Sequence, residues 1–199
     1  MKRIPHLLIM VGICSLVYGT PVSAISEAYK ENIFNTGQLK ATDSVLKVKA
    51  GDPAPQFSLK SISGETISLS QFNGKKNVVI SFVPAAWTPV CSDQWPGYNL
   101  VKDVFEQNQA ILLGISVDNI PTLYAWTNQM GNLWFPILSD FWPHGAVADS
   151  FGVLRSDGTA ERAIIMIDKT GIIRYIHVSD INRRPELEEL LQELAKLNS

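Results

Sequence analysis

The stretch Pro84-Ala85-Ala86-Trp87-Thr88-Pro89-Val90-Cys91 carries a thiol three residues after a threonine hydroxyl and seven after a proline. It follows the β-branched run Asn77 to Val83 and leads into a segment with apolar residues at helical spacing, so the thiol sits where a strand ends and a helix begins. Both placements favour chemistry. Ligands bind at the carboxyl ends of strands in open sheets, and the free amides and dipole of a helix amino terminus stabilise an anion. The thiolate is the nucleophilic form of cysteine and attacks electrophiles such as peroxide oxygen. A free thiol has a pKa of about 8.5, and lowering it by roughly 2 units takes about 2.7 kcal/mol of differential stabilisation. One helix terminus supplies about 0.3–1 kcal/mol when exposed and up to about 2 when buried, so a second positive partner is expected.

The standing of Cys91 depends on the amino terminus. Lys2 and Arg3 precede the apolar run Leu7 to Tyr18, and Pro21-Val22-Ser23-Ala24 reads as a small-residue cleavage site. Residues 1–24 are therefore expected to be the signal peptide of an exported, periplasmic or extracytoplasmic protein. Retention as a membrane anchor is the competing reading, although the run is shorter than the roughly 20 residues that span a bilayer. Cys14 lies inside the run and leaves with it; Gly12-Ile13 before it does not suit a lipoprotein signal. Cys91 then stands alone. A lone thiol in an oxidising compartment is either an inert buried hydrophobe or a reactive group.

A composition of 46% hydrophobic and 18% charged residues is that of an ordinary globular protein, and one domain with a real core is expected. The net charge of -2, with both signs scattered, offers no basic stripe for phosphates and argues against nucleic acid as a partner. Residues 25–48 show no sustained period and read as a linker or a partly helical lead-in; the domain is expected over 49–199, entered at Gly51-Asp52-Pro53-Ala54-Pro55. Gln56 to Lys60 and Thr66 to Leu69 suggest a hairpin, Asn77 to Val83 a central strand, and Cys91 to Gln107 a helix. Ala110 to Val117 reads as a buried strand, Pro121 to Met130 as a helix, Phe135 to Leu138 as a short strand and Gly145 to Phe151 as a short helix. Arg162 to Ile167 and Ile172 to Val178 form a hairpin, and Pro185 to Leu197 a closing amphipathic helix. This order predicts an α/β fold, a mixed central sheet with helices on both faces, of thioredoxin-like type; a flavodoxin-like domain shares the coarse pattern.

Pro84, Thr88 and Cys91 match the P-x-x-x-T-x-x-C signature of peroxiredoxins, the thiol-specific peroxidases of the thioredoxin superfamily. Ser139-Asp140-Phe141-Trp142-Pro143-His144-Gly145-Ala146-Val147-Ala148, with Phe151-Gly152-Val153, resembles the AhpE-type one-cysteine branch of the AhpC/TSA superfamily. Arg162 to Asp168 with Gly171 to Arg174 resembles the family's closing hairpin. The resemblance implies that Cys91 is the peroxidatic cysteine, that Thr88 aligns the peroxide and that Pro84 shapes and dries the pocket. Arg162 becomes the second positive partner, a role that its position alone would not suggest. The implied substrates are hydrogen peroxide or organic hydroperoxides, reduced through a sulfenic acid that an external thiol or thioredoxin-like reductant regenerates. A homodimer or larger homo-oligomer is implied, with no cofactor. An exported peroxide sensor or redox-partner binding module with little turnover is the alternative.

Several residues qualify this picture. Gln94 stands three after Cys91, so there is no C-x-x-C dithiol; it also replaces a glutamate common in the family, removing a charge beside Arg162. Trp87 replaces a usual phenylalanine, and Trp95-Pro96-Gly97 is unusual in the first turns of a helix. His144 reads as a residue at a helix entrance, with proton transfer as the rival role. Trp126, Trp134 and Trp142 read as core or interface residues. The histidines and the lone cysteine do not compose a metal site.

Overall fold

A computed structural model describes residues 27–197. The expected signal peptide, Cys14 included, lies outside the described residues. The short helix α1 (Glu27–Glu31) precedes the hairpin β1 (Ser58–Ser61) and β2 (Thr66–Ser68). Then come β3 (Asn77–Phe82), α2 (Pro89–Gly97), α3 (Lys102–Gln107), β4 (Ala110–Ser116), α4 (Ile120–Met130), β5 (Ile137–Ser139) and α5 (Ala146–Phe151). The chain closes with β6 (Ala163–Ile167), β7 (Ile173–Val178) and α6 (Leu187–Lys196).

The strands form one seven-stranded sheet in the order β2-β1-β5-β4-β3-β6-β7. Within it β3 lies between β4, to which it is parallel, and β6, to which it is antiparallel. Every residue of β3 is buried, and its Val78-Val79-Ile80 centre suits a strand covered on both faces. The pleat sends Val78, Ile80 and Phe82 into one core and Val79 into the other. The first core packs α5 on the sheet, with Phe82 and Phe151 rings 5.9 Å apart. The second packs α2, α3, α4 and α6 and contains Cys91. The fold is thus a mixed sheet with helices on both faces, of thioredoxin-like type.

The helix expected from Cys91 to Gln107 is broken. It ends at Gly97, passes through a 3-10 turn at Tyr98–Val101 and resumes as α3. Pro96 causes the break: it has no N–H to donate and its ring crowds the preceding turn, and Gly97 adds backbone freedom. The Trp95 side chain nevertheless locks this segment into the core. It is fully buried, its ring lies 5.0 Å from Trp126, and its Nε1 donates to Ser81 Oγ at 3.2 Å. Gly114 of β4 makes the room, since a Cβ there would stand 2.8 Å from Trp95 Cζ2.

The stretch read as a linker or lead-in stays largely exposed but is tied to the domain by hydrogen bonds. From residue 34 to 51 it runs as a strap across the domain, held mainly through its backbone. Phe34 N–H donates to the Trp87 carbonyl at 2.7 Å, Lys47 N–H to Phe151 at 3.2 Å and Gly51 N–H to Ile173 at 2.8 Å. Gly152, at φ 74°, allows the crossing: a Cβ there would lie 2.3 Å from Lys47 N and 2.4 Å from the Val45 carbonyl oxygen. Between these points the Asp43 carboxylate accepts from the Ser156 N–H at 3.1 Å, and the Asp43 N–H donates to Glu161 Oε1.

Candidate active site

Thr88 caps α2 in extended backbone, Pro89 occupies its first turn, and Cys91 follows on that turn. The first helical bond in this turn is Ser92 N–H to the Thr88 carbonyl, 3.0 Å, so the Cys91 amide belongs to the unsatisfied helix terminus. The Thr88 hydroxyl does not cap the helix. It donates to the Ala85 carbonyl at 2.9 Å, and its proton being spent, its oxygen is left to accept. Trp87, just before it, is held at φ 61°, a left-handed conformation unusual for a bulky residue. Asp118 steadies the same loop by accepting from the Ala86 N–H at 2.8 Å.

Cys91 is completely buried. Arg162, only 2% exposed, brings Nη2 within 3.5 Å of Cys91 Sγ. Its Nε and Nη2 donate to the Ile181 carbonyl at 3.2 and 3.1 Å, while Nη1 donates to Gln94 Oε1. Both of these oxygen acceptors are neutral. The guanidinium therefore reaches the sulfur with its charge uncompensated by either of them, in a setting where a buried cation needs an anionic counterpart. Gln94 is itself fixed, its Nε2 donating to Ser81 Oγ at 3.1 Å and to the Tyr98 hydroxyl at 2.9 Å. Burial pushes the Tyr98 phenol up, which keeps this wall neutral. The glutamine that departs from the family pattern thus holds the arginine through an amide.

A pocket of about 420 Å³ adjoins this group. Pro84, Thr88, Val90 and Arg162 line it, facing Leu39 and its strap neighbours across the opening, with Ile181 beside Arg162. The structure so brings together all four residues singled out in the sequence: Cys91, Thr88, Pro84 and Arg162. It leaves others elsewhere. His144 is exposed just before α5, its Nε2 2.6 Å from the Gly158 carbonyl. Trp126 is core and donates from Nε1 to Ser92 Oγ at 3.2 Å, Trp134 donates to the Tyr98 carbonyl at 3.0 Å, and Trp142 is 82% exposed. Among the described residues no cluster of three or more His, Cys, Asp or Glu side chains suits a metal ion.

Three further groups around the site carried no sequence signal. Arg155 and Glu161 form a buried ion pair at 2.7 Å next to Arg162, and Asn182 hydrogen-bonds the strap. Lone polar residues in loops have no periodicity to reveal them; only the adjacency of Glu161 to Arg162 was a hint.

The AhpC/TSA family model matches residues 50–176. Alkyl hydroperoxide reductase E of Mycobacterium tuberculosis is 37% identical over 129 residues, covering 64% of this chain and 84% of that protein. A chloroplastic 2-cysteine peroxiredoxin of Chattonella marina var. antiqua is 30% identical over 158 residues, covering 75% and 80%. Among solved structures, the reduced 2-Cys peroxiredoxin of Plasmodium vivax superposes with a TM-score of 0.70 at 27% identity, covering 76% of this chain and 82% of that one. The chain belongs to the AhpC/TSA family and is a peroxiredoxin of AhpE-like type, a thiol-dependent peroxidase.

Proposed function

We propose that this protein reduces hydrogen peroxide or small organic hydroperoxides by a one-cysteine cycle centred on Cys91. The observation that carries the reading is the Arg162 guanidinium, buried, held by neutral acceptors and 3.5 Å from the thiol. Its charge and the terminus of α2 act together on the thiolate. The peroxide enters beside Pro84, and its O–H donates to Thr88 Oγ1, which accepts because its own proton is held by Ala85. The sulfur lone pair attacks the nearer oxygen, the O–O bond breaks, and the departing oxygen takes the electron pair and a proton. Arg162 stabilises charge on that oxygen as it develops. The products are Cys91 sulfenic acid and water or an alcohol.

Removal of residues 1–24 on export would leave Cys91 without an internal partner, so an external thiol or thioredoxin-like protein condenses with the sulfenic acid and a second thiol releases the product. Lys2, Arg3 and the apolar run support the exported location. Assembly as a homodimer or larger oligomer rests on family membership. The test compares peroxide consumption by the purified protein and Cys91→Ser with a small thiol as reductant. Turnover abolished in the variant is expected; equal rates in the two end the proposal.

A further inference from the structure

Residues 34–49 of the strap lie outside the residues that the family model matches, and so do Ile181 and Asn182. These segments meet each other beside Arg162. Leu39 N–H donates to Asn182 Oδ1 at 3.0 Å, and Asn182 Nδ2 returns a bond to the Leu39 carbonyl at 2.9 Å. One residue away, Ile181 N–H donates to the Ala41 carbonyl at 3.0 Å. Asp180 sets the asparagine rotamer, its Oδ1 accepting from Asn182 N–H at 2.9 Å and from Nδ2 at 2.7 Å. The Ile181 carbonyl, on the other side of the same peptide, is the acceptor that orients both Nε and Nη2 of Arg162. At the strap's next residue, the Lys40 carbonyl accepts from Arg155 Nη2 at 2.9 Å, and Arg155 is paired with Glu161.

We propose that the strap is a working part of the active site and that Asn182 is a positioning residue, clamping Leu39 so that the Ile181 carbonyl aims Arg162 at Cys91. Besides the thiol, Arg162 has two acceptors, Gln94 on α2 and the Ile181 carbonyl on a loop. Gln94 is locked by two bonds within the buried core, whereas the loop's hold depends on what steadies residues 180–182. The strap steadies them with three hydrogen bonds in a row, two from the Asn182 side chain and one from the Ile181 amide. With the clamp released, Nε and half of Nη2 lose a fixed acceptor, and the guanidinium is tethered through Nη1 alone. The proposal rests on the reading of Arg162 given above. Tyr29 also faces Cys91, and burial pushes its phenol up, so it stays neutral.

The test is a double-mutant cycle, with Asn182→Ala made in the wild-type and Arg162→Ala backgrounds. Melting temperature, the second-order rate with hydrogen peroxide and the pH profile of Cys91 alkylation are measured for each. In the wild-type background, Asn182→Ala is expected to fold, to react about 5–10-fold more slowly, the factor one net hydrogen bond carries, and to move the alkylation profile to higher pH. In the Arg162→Ala background the same change has an effect below about twofold. An Asn182 effect that persists undiminished there, or is absent in both backgrounds, overturns the inference alone. An unchanged rate in Arg162→Ala by itself overturns the role of Arg162 and this inference with it. Hydrogen exchange on the unmodified chain gives an independent check: Leu39 and Ile181 amides are protected together, and a freely exchanging Leu39 amide contradicts the clamp.

Discussion

Replacing Arg162 by alanine removes the guanidinium charge that the structure places against the Cys91 sulfur. Over the 3.5 Å between Nη2 and Sγ, unit charges at an effective dielectric of about 20 attract by about 5 kcal/mol. The guanidinium charge is spread over three nitrogens, and the pair's desolvation offsets part of the attraction, which leaves about 2–3 kcal/mol for the thiolate and the transition state. At about 1.4 kcal/mol per factor of ten, the second-order rate with hydrogen peroxide at neutral pH falls about 30- to 150-fold. Arg162→Lys keeps a charge but loses the fork that spans the Ile181 carbonyl and Gln94, so its rate lies between wild type and alanine. Stopped-flow mixing under pseudo-first-order peroxide measures both, with circular dichroism confirming that the variants fold. A rate for Arg162→Ala within about threefold of wild type, less than about 0.7 kcal/mol, refutes the electrostatic argument.

Three other outcomes follow from the same geometry. Thr88→Val keeps the side-chain shape and removes the acceptor, so the peroxide rate falls about 10- to 100-fold, with about 1 kcal/mol of stability lost along with the bond to the Ala85 carbonyl, whereas Thr88→Ser stays close to wild type; equal rates for valine and serine contradict the role of the hydroxyl. Gly114→Ala drives a methyl to 2.8 Å from Trp95 and 2.9 Å from Ile137, costing about 1–3 kcal/mol of stability in denaturant unfolding; an unchanged midpoint contradicts the packing. Burial pushes the Asp168 carboxyl up, but the Thr170 hydroxyl, the Arg174 guanidinium and the amides of Ile172 and Thr170 outweigh it and hold it below the usual carboxylate range. A depressed carboxyl contributes stability above its unfolded pKa of about 3.9 and loses it as pH falls through the folded value. Asp168→Asn therefore melts earlier at neutral pH, and its difference from wild type shrinks in acid. Melting curves that stay parallel down to the acid limit speak against it.

Where burial and periodicity carried information, the fold was legible. The runs at Asn77–Phe82, Ala110–Ser116 and Ala163–Ile167 are strands because short, mainly apolar runs buried on both faces leave few alternatives. The break after Gly97 was harder to read, because the apolar spacing from Tyr98 to Phe105 continues across it while Pro96 interrupts the backbone ladder. At the site, Cys91, Thr88 and Pro84 were visible as a local motif, and Arg162 only through resemblance, since 71 residues separate it from the sulfur it contacts. The sign of the Gln94 substitution was illegible because it depends on which way the amide points. The structure turns its oxygen to Arg162 and its nitrogen to Ser81 and Tyr98. The strap left no trace at all: Phe34, Leu39, Ala41 and Lys47 are held through backbone groups, which every residue type shares.

The most direct measurement of the central claim is a single-turnover titration of the reduced protein with hydrogen peroxide, in the presence of a sulfenic-acid trap and without any thiol. The account predicts that peroxide and free thiol disappear one for one, and that peptide mass spectrometry finds the trap on Cys91 alone. Peroxide that survives, or a trap found anywhere but Cys91, contradicts it.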